Sequence, residues 1–192
     1  MRKLALSLLV LGSLAGCGTS PEPDYYVLTP TPGAPREIST QLKIERPVLP
    51  EYLDRPQIVQ LKSNDQVSID EMQRWAAPLD IMIEGVLAED LRQRMPPSLV
   101  TTEQEGEARD ARFVIQSTLK TFNNANDNNS LRANVKIDDR KGCKSPSLFS
   151  ITFAATTSGD REEGLSQLIG EMSDFIIENL ETKSLNQSCP HS

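Results

Sequence analysis

Apolar residues along this 192-residue chain fall into three patterns, and each predicts a different element. The first is a solid run. Residues 4–11 are almost unbroken Leu, Ala and Val, preceded by Arg2 and Lys3 and followed by the small residues Ala15 and Gly16 before Cys17. A positive start, an apolar centre and a small-residue end make an export signal over residues 1–16. The run is too short for the about 20 residues that a membrane-spanning helix needs.

The second pattern is alternation, which marks strands with one buried face. Residues 25–29 (YYVLT) form a short aromatic and β-branched segment, and PTPGAP then breaks it. Residues 40–49 (TQLKIERPVL) alternate at Leu42 and Ile44; Pro47 has no amide hydrogen and predicts an edge strand or a bulge. Residues 57–62 and 66–70 flank SND and read as a hairpin. ARFVIQSTLKTF (111–122), LRANVKIDD (131–139) and SLFSITFAATT (147–157) predict three more strands. NNANDNN (123–129) and RKGCKSP (140–146) separate them, so the natural order is an antiparallel meander.

The third pattern is helical. Pro78 suits a first helical position, and Leu79, Ile83, Val86, Leu87 and Leu91 then form one apolar stripe that ends at Met95-Pro96-Pro97. A second helix begins near Asp160 or Arg161, with Glu162 and Glu163 at its positive end. Its stripe is Leu165, Leu168, Ile169, Met172, Ile176 and Leu180. Strands, helix, three strands and helix predict an α+β fold: a largely antiparallel or mixed sheet with two amphipathic helices packed on one face. The body is a single domain over residues 25–183, with a tail at 184–192.

Charge narrows the partners. The formal net charge is -7, and removing Arg2 and Lys3 with the signal takes it to -9. Nucleic-acid binding, which needs basic patches to displace counterions, is excluded. Leu14-Ala15-Gly16-Cys17 resembles the bacterial lipobox, in which the cysteine takes a lipid and the chain is cut before it. The alternative is an ordinary signal with a free thiol at Cys17. With a lipid on Cys17, residues 17–24 become a lipidated tether whose seven residues after the cysteine reach roughly 23 Å. Multiple acyl chains make such an anchor stable, and membrane attachment rests on them.

Cys143 and Cys189 then remain as an even pair in an oxidising compartment. A bridge between them closes a 47-residue loop, worth about 4 kcal/mol in the chain-entropy model; the alternative is two free thiols. A metal site of Cys143, Cys189 and His191 has three ligands and no second paired motif, so no metal is expected.

Catalytic groups are scarce. His191 is the single histidine and is the penultimate residue. G-x-S-x-G, phosphate-loop and H-E-x-x-H motifs are absent, and Asp138-Asp139 and Glu162-Glu163 read as solvated turn and helix-start acids. Trp75, before the first helix, reads as a core or hinge plug. The stretch PVLPEYLDRP (47–56) concentrates three prolines, a tyrosine and an Asp-Arg pair. A stiff loop that carries Tyr and Arg has interface chemistry, so Tyr52, Leu53, Asp54 and Arg55 are the partner-interface candidates. The alternative is an internal turn at Asp54-Arg55.

PVLPEYLDRPQIV (47–59), RWAAPLDIMIEGVLAEDL (74–91) and YYVLTP (25–30) after a lipobox resemble the PqiC-type lipoproteins, the ABC-type transport auxiliary lipoproteins. Ala77 departs from the acidic residue expected beside the proline. The resemblance implies an outer-membrane lipoprotein facing the periplasm, a partner of an MCE-domain transport protein in intermembrane lipid transport and in envelope integrity. Gly18 after the cysteine, rather than aspartate, fits outer-membrane sorting. Since MCE tubes are ring-symmetric, a homo-oligomeric ring is the matching symmetry.

Two functions follow as expectations. The first is a non-catalytic adaptor without a cofactor, apart from the covalent lipid (palmitate included) on Cys17. The alternative is a periplasmic module that itself carries a phospholipid acyl chain, which needs a sizeable apolar cavity between helices and sheet.

Overall fold

The computed structural model describes residues 21–61, 66–106, 110–125, 128–142, 145–156 and 161–185. In chain order the elements are β1 (Asp24–Tyr26), β2 (Gln41–Ile44), β3 (Gln57–Leu61), β4 (Val67–Trp75), α1 (Leu79–Arg94), β5 (Leu99–Thr102), β6 (Phe113–Ala125), β7 (Asn128–Asp139), β8 (Ser147–Thr156) and α2 (Arg161–Leu185). The strands make a three-stranded sheet ordered β1-β4-β3 and a five-stranded sheet ordered β5-β2-β6-β7-β8. The fold is α+β, as the alternation and helical stripes predict.

Both helical stripes become core. Ile83, Leu87 and Leu91 of α1 and Leu168, Ile169, Met172, Ile176 and Leu180 of α2 have no exposed surface. Burial of each such side chain stabilises by about 1.5–3 kcal/mol. The helices pack against each other and share one face of the main sheet, α1 over β5 and β2, α2 over β6, β7 and β8. Pro78 is the cap residue of α1 rather than its first helical residue, and Met95 closes the helix with its amide on the Leu91 carbonyl. Phe175 of α2 meets Phe149 and Phe153 of β8 edge-on, with ring centroids 5.1 and 5.9 Å apart.

The meander β6-β7-β8 is antiparallel throughout. Its first hairpin is longer than the sequence implies: Asn123 pairs with Ser130, Asn124 with Asn129 and Ala125 with Asn128. Most of the asparagine stretch is therefore ladder, because a cross-strand partner supplies the hydrogen bonds that these residues would otherwise seek locally. The hairpin β3-β4 is antiparallel, and β4 continues to Trp75, which is buried; the SND turn itself lies outside the described residues.

Three features depart from the sequence reading. β2 is not an edge: it lies between β5 and β6 and pairs parallel with both. The bulge that Pro47 predicts is present: the Glu45 amide donates to the Ile115 carbonyl and the Val48 amide to the Ser117 carbonyl, and Val48 bridges Thr118. The step from Ile44 to Val48 therefore holds one residue more than the step from Ile115 to Thr118, and Pro47 needs no ladder donor. β5, only four residues long behind Pro96-Pro97, has no predicted counterpart. The stretch at 25–29 forms strand only over Asp24–Tyr26, parallel to Gln73–Trp75.

Candidate functional site

The segment that joins β1 to β2 lies as a strap across α1 and α2. PTPGAP cannot form helix or ladder, so its backbone must find other partners. At one end the Thr29 amide donates to Ser166 Oγ at 3.1 Å, and further on the Thr31 amide donates to Asp90 Oδ1 at 2.7 Å. At the other end the Arg36 amide donates to the Arg94 carbonyl, and the Arg36 guanidinium pairs with Glu181 at 3.1 Å.

Arg94 organises this crossing. Its side chain is 2% exposed, and Asp90, one turn back, is 0% exposed. The two are 3.3 Å apart; Nε reaches Asp174 at 3.0 Å, Nη1 the Thr31 carbonyl at 3.0 Å and Nη2 the Thr31 hydroxyl at 3.2 Å. A buried guanidinium is tolerated only when its donors are satisfied in this way. Burial pushes the Asp90 carboxyl above the usual carboxylate range, against the opposing pull of the Thr31 amide and Arg94. Close approach demands glycine twice: a Cβ on Gly33 would strike the Arg94 side chain, and one on Gly170 would strike Thr31 Oγ1.

Beside the strap is a groove of about 460 Å³, with Thr31, Gln167, Glu171 and Asp174 among its lining residues. Its walls are polar and acidic, unlike an acyl-chain cavity. Among the described residues no group of His, Cys, Asp and Glu could hold a metal ion, and no helix is long and apolar enough to cross a membrane.

The loop at 47–56 divides its four candidates. Leu53 is buried and its amide donates to the Pro50 carbonyl; Tyr52 is half-buried; Asp54 and Arg55 are exposed. The Tyr52 hydroxyl is sealed from solvent without a hydrogen-bond acceptor. Burial raises its pKa, opposed by the Phe122 main chain and the Arg132 charge. Leu53 and Tyr52 thus fix the loop to the body, and Asp54-Arg55 is the part that faces outward. Cys17, Cys143, Cys189 and His191 lie outside the described residues.

Sequence reasoning missed the Arg94 cluster. The i,i+4 spacing of Asp90 and Arg94 was its one visible signal, and it reads equally as a surface ion pair.

Among solved structures, one described only as the crystal structure of an uncharacterized protein matches with a TM-score of 0.66 at 17% identity, covering 83% of this chain and 99% of that one. Protein XCC0632 from Xanthomonas campestris matches with a TM-score of 0.64 at 17% identity, covering 85% of this chain and 100% of that one. These likenesses show the fold. No curated protein matches at a level that shows a relationship. The family model for the ABC-type transport auxiliary lipoprotein component matches residues 26–176, from β1 into α2, and the chain belongs to that family.

Proposed function

We propose that this protein is a non-catalytic adaptor, anchored in the outer membrane through a lipid on Cys17 and docked on an MCE-type lipid transport system from the periplasmic side. Family membership carries the reading. The strap supports it mechanically: the segment that follows the tether is held by the buried Arg94 and Asp90, so an anchor on Cys17 would hold the whole helix pair near the membrane. Asp54 and Arg55 present the exposed tip of a loop fixed by Leu53, a suitable contact for the transport protein. A closed ring of copies would match a ring-symmetric tube.

The acyl-carrier alternative has less support. The groove beside the strap is polar, and Ile83, Leu87, Met172 and Ile176 fill the space between helices and sheet with no exposed surface. Native mass spectrometry that finds stoichiometric phospholipid on the purified domain would reverse this preference.

Co-purification tests the adaptor. The Cys17-anchored protein captures an MCE-domain protein from detergent extracts, and Cys17→Ala, which loses labelling by radioactive palmitate, loses membrane attachment. Repeated failure of the anchored form to capture any MCE protein sinks the proposal. The Cys143–Cys189 bridge belongs to the same reading. Gly142 follows β7 at the end of the sheet where β2, β6 and β8 begin, and the Arg36–Glu181 pair ties the last turns of α2 to the segment that leads into β2. Non-reducing peptide mapping recovers the two cysteines in one linked peptide; recovery of both as free thiols removes the bridge.

A further inference from the structure

The two outer edges of the main sheet are treated differently. An exposed edge strand offers unpaired amides and carbonyls to any passing chain, and proteins blunt it with charge, proline or bulges. β5 is blunted. Arg92 places Nε and Nη2 on the Val100 carbonyl at 3.2 and 2.9 Å, Glu105 accepts from the Thr102 amide at 2.9 Å, and the two side chains pair at 2.6 Å. The free part of the β4 edge in the smaller sheet carries Asp70, whose carboxylate takes the Met72 amide at 2.9 Å. β8 has none of these devices. Its ten residues, SLFSITFAAT, include no charge and no proline, and its register with β7 runs without a bulge. No described strand covers its outer edge.

We propose that the β8 edge is a docking strip for an extended segment of a partner protein in which apolar and acidic residues alternate. The two faces behind the edge set that pattern. On the α2 side stand Phe149 and Ile151 with Phe175, ready to continue an apolar layer. On the other face Leu148 is 67% exposed and Ser150 and Thr152 are exposed. The charges behind that face come from β7: Lys136 opposite Leu148 and Arg132 opposite Thr152, with Asp138 beyond the end of the β8 ladder. A strand added beside β8 lies roughly 10 Å from β7, within reach of both long cationic side chains, and its outward acids would pair with them. Main-chain hydrogen bonds give such strand addition its affinity, and alternate side chains give its specificity. A second copy fits less well, since β8 has no acid to offer Arg132 and Lys136. The proposal deepens the adaptor reading by naming a partner chemistry, and it rests on that reading for its physiological sense only.

The test uses the mature chain in detergent and fluorescein-labelled decapeptides that alternate valine with glutamate, lysine or serine. The valine-glutamate peptide binds saturably, about tenfold tighter than valine-lysine, as one or two close charge pairs would give. Hydrogen exchange slows across residues 147–156 when it is bound. Arg132→Glu with Lys136→Glu reverses the preference, and Thr152→Lys abolishes binding, with unchanged melting profiles for both variants. Equal binding of all three peptides, no saturable binding, or protection elsewhere overturns the proposal. So does a dimer by light scattering that Thr152→Lys dissolves, because the edge would then be self-paired. If Thr152→Lys still captures the MCE-domain protein while peptide binding was never seen, the edge proposal fails and the adaptor reading survives.

Discussion

Leu91 and Arg94 stand about one turn apart on α1 and are equally hidden, at 0% and 2% exposure. Leu91 belongs to the continuous apolar core between helices and sheet. Arg94 faces the strap, where its partners are the Thr31 carbonyl and hydroxyl and the carboxylates of Asp90 and Asp174. The core tolerates approximate fits, since volume-conserving apolar exchanges cost little. The strap junction does not, since each partner removed leaves a buried polar group unsatisfied. One helix therefore serves both as packing surface and as a latch for the N-terminal segment.

Breaking the latch gives the largest effect. Arg94→Ala leaves the Asp90 carboxylate buried without its counter-charge and destabilises by about 3–5 kcal/mol in urea unfolding. Arg94→Met combined with Asp90→Leu recovers most of that loss, because a buried pair replaced as a unit by apolar groups is often neutral. If the double variant is as unstable as Arg94→Ala, the strap depends on the ions themselves. On the core side, Leu87→Ala costs about 3 kcal/mol through lost transfer energy and a residual cavity. It also leaves the strap in place, read as unchanged protease resistance of residues 29–36. A smaller cost with early strap release would show that latch and core are one unit.

The sequence showed the core and hid the latch, for a physical reason. Helical stripes and β6-β7-β8 alternation are local periodicities, and burial follows from them directly. The latch depends on Thr31 meeting Arg94, which is 63 positions away in sequence; no local pattern encodes that meeting. Pro and Gly in PTPGAP mark where regular structure stops, not where the chain goes. The parallel pairs of β2 with β5 and β6 were hidden for the same reason, since parallel neighbours join through long crossovers. Asn123 and Asn129 misled because turn propensity yielded to a cross-strand ladder. At the candidate interface, the sequence singled out the 47–56 loop, but only packing could separate the buried Leu53 from the exposed Asp54 and Arg55.

A finer probe of the same junction is steric. Gly170→Ala places a methyl against Thr31 Oγ1, which is also tied to Arg94 and Asp90. Overpacking of this kind costs about 1–3 kcal/mol, and Thr31→Ala in the same background, which removes Oγ1, lowers the cost if the contact is the cause, whereas Thr31→Ser, which keeps the oxygen, does not. No interaction between the two substitutions would place the strain elsewhere on α2.

The smallest effect is the pH dependence, and it separates the two regions most cleanly. Burial raises the Asp90 pKa above its ordinary value of 3.8. A carboxyl whose folded pKa is raised binds more protons folded than unfolded, so its own contribution to stability grows as pH falls through the folded pKa and is fully gained below 3.8. Arg94 opposes that shift in the wild type; its loss lets the Asp90 pKa rise further. The penalty of Arg94→Ala is therefore greatest at about pH 8 and shrinks by about 1 kcal/mol or more per unit of additional shift as Asp90 takes up its proton. Leu87→Ala leaves no group to titrate, and its penalty is flat over the same range. Urea unfolding of both variants, stepped from about pH 8 down to the acid limit of the folded state, reads the difference. Parallel curves for the two variants would mean that Asp90 keeps its charge without Arg94, with Thr31 alone sufficient to hold it.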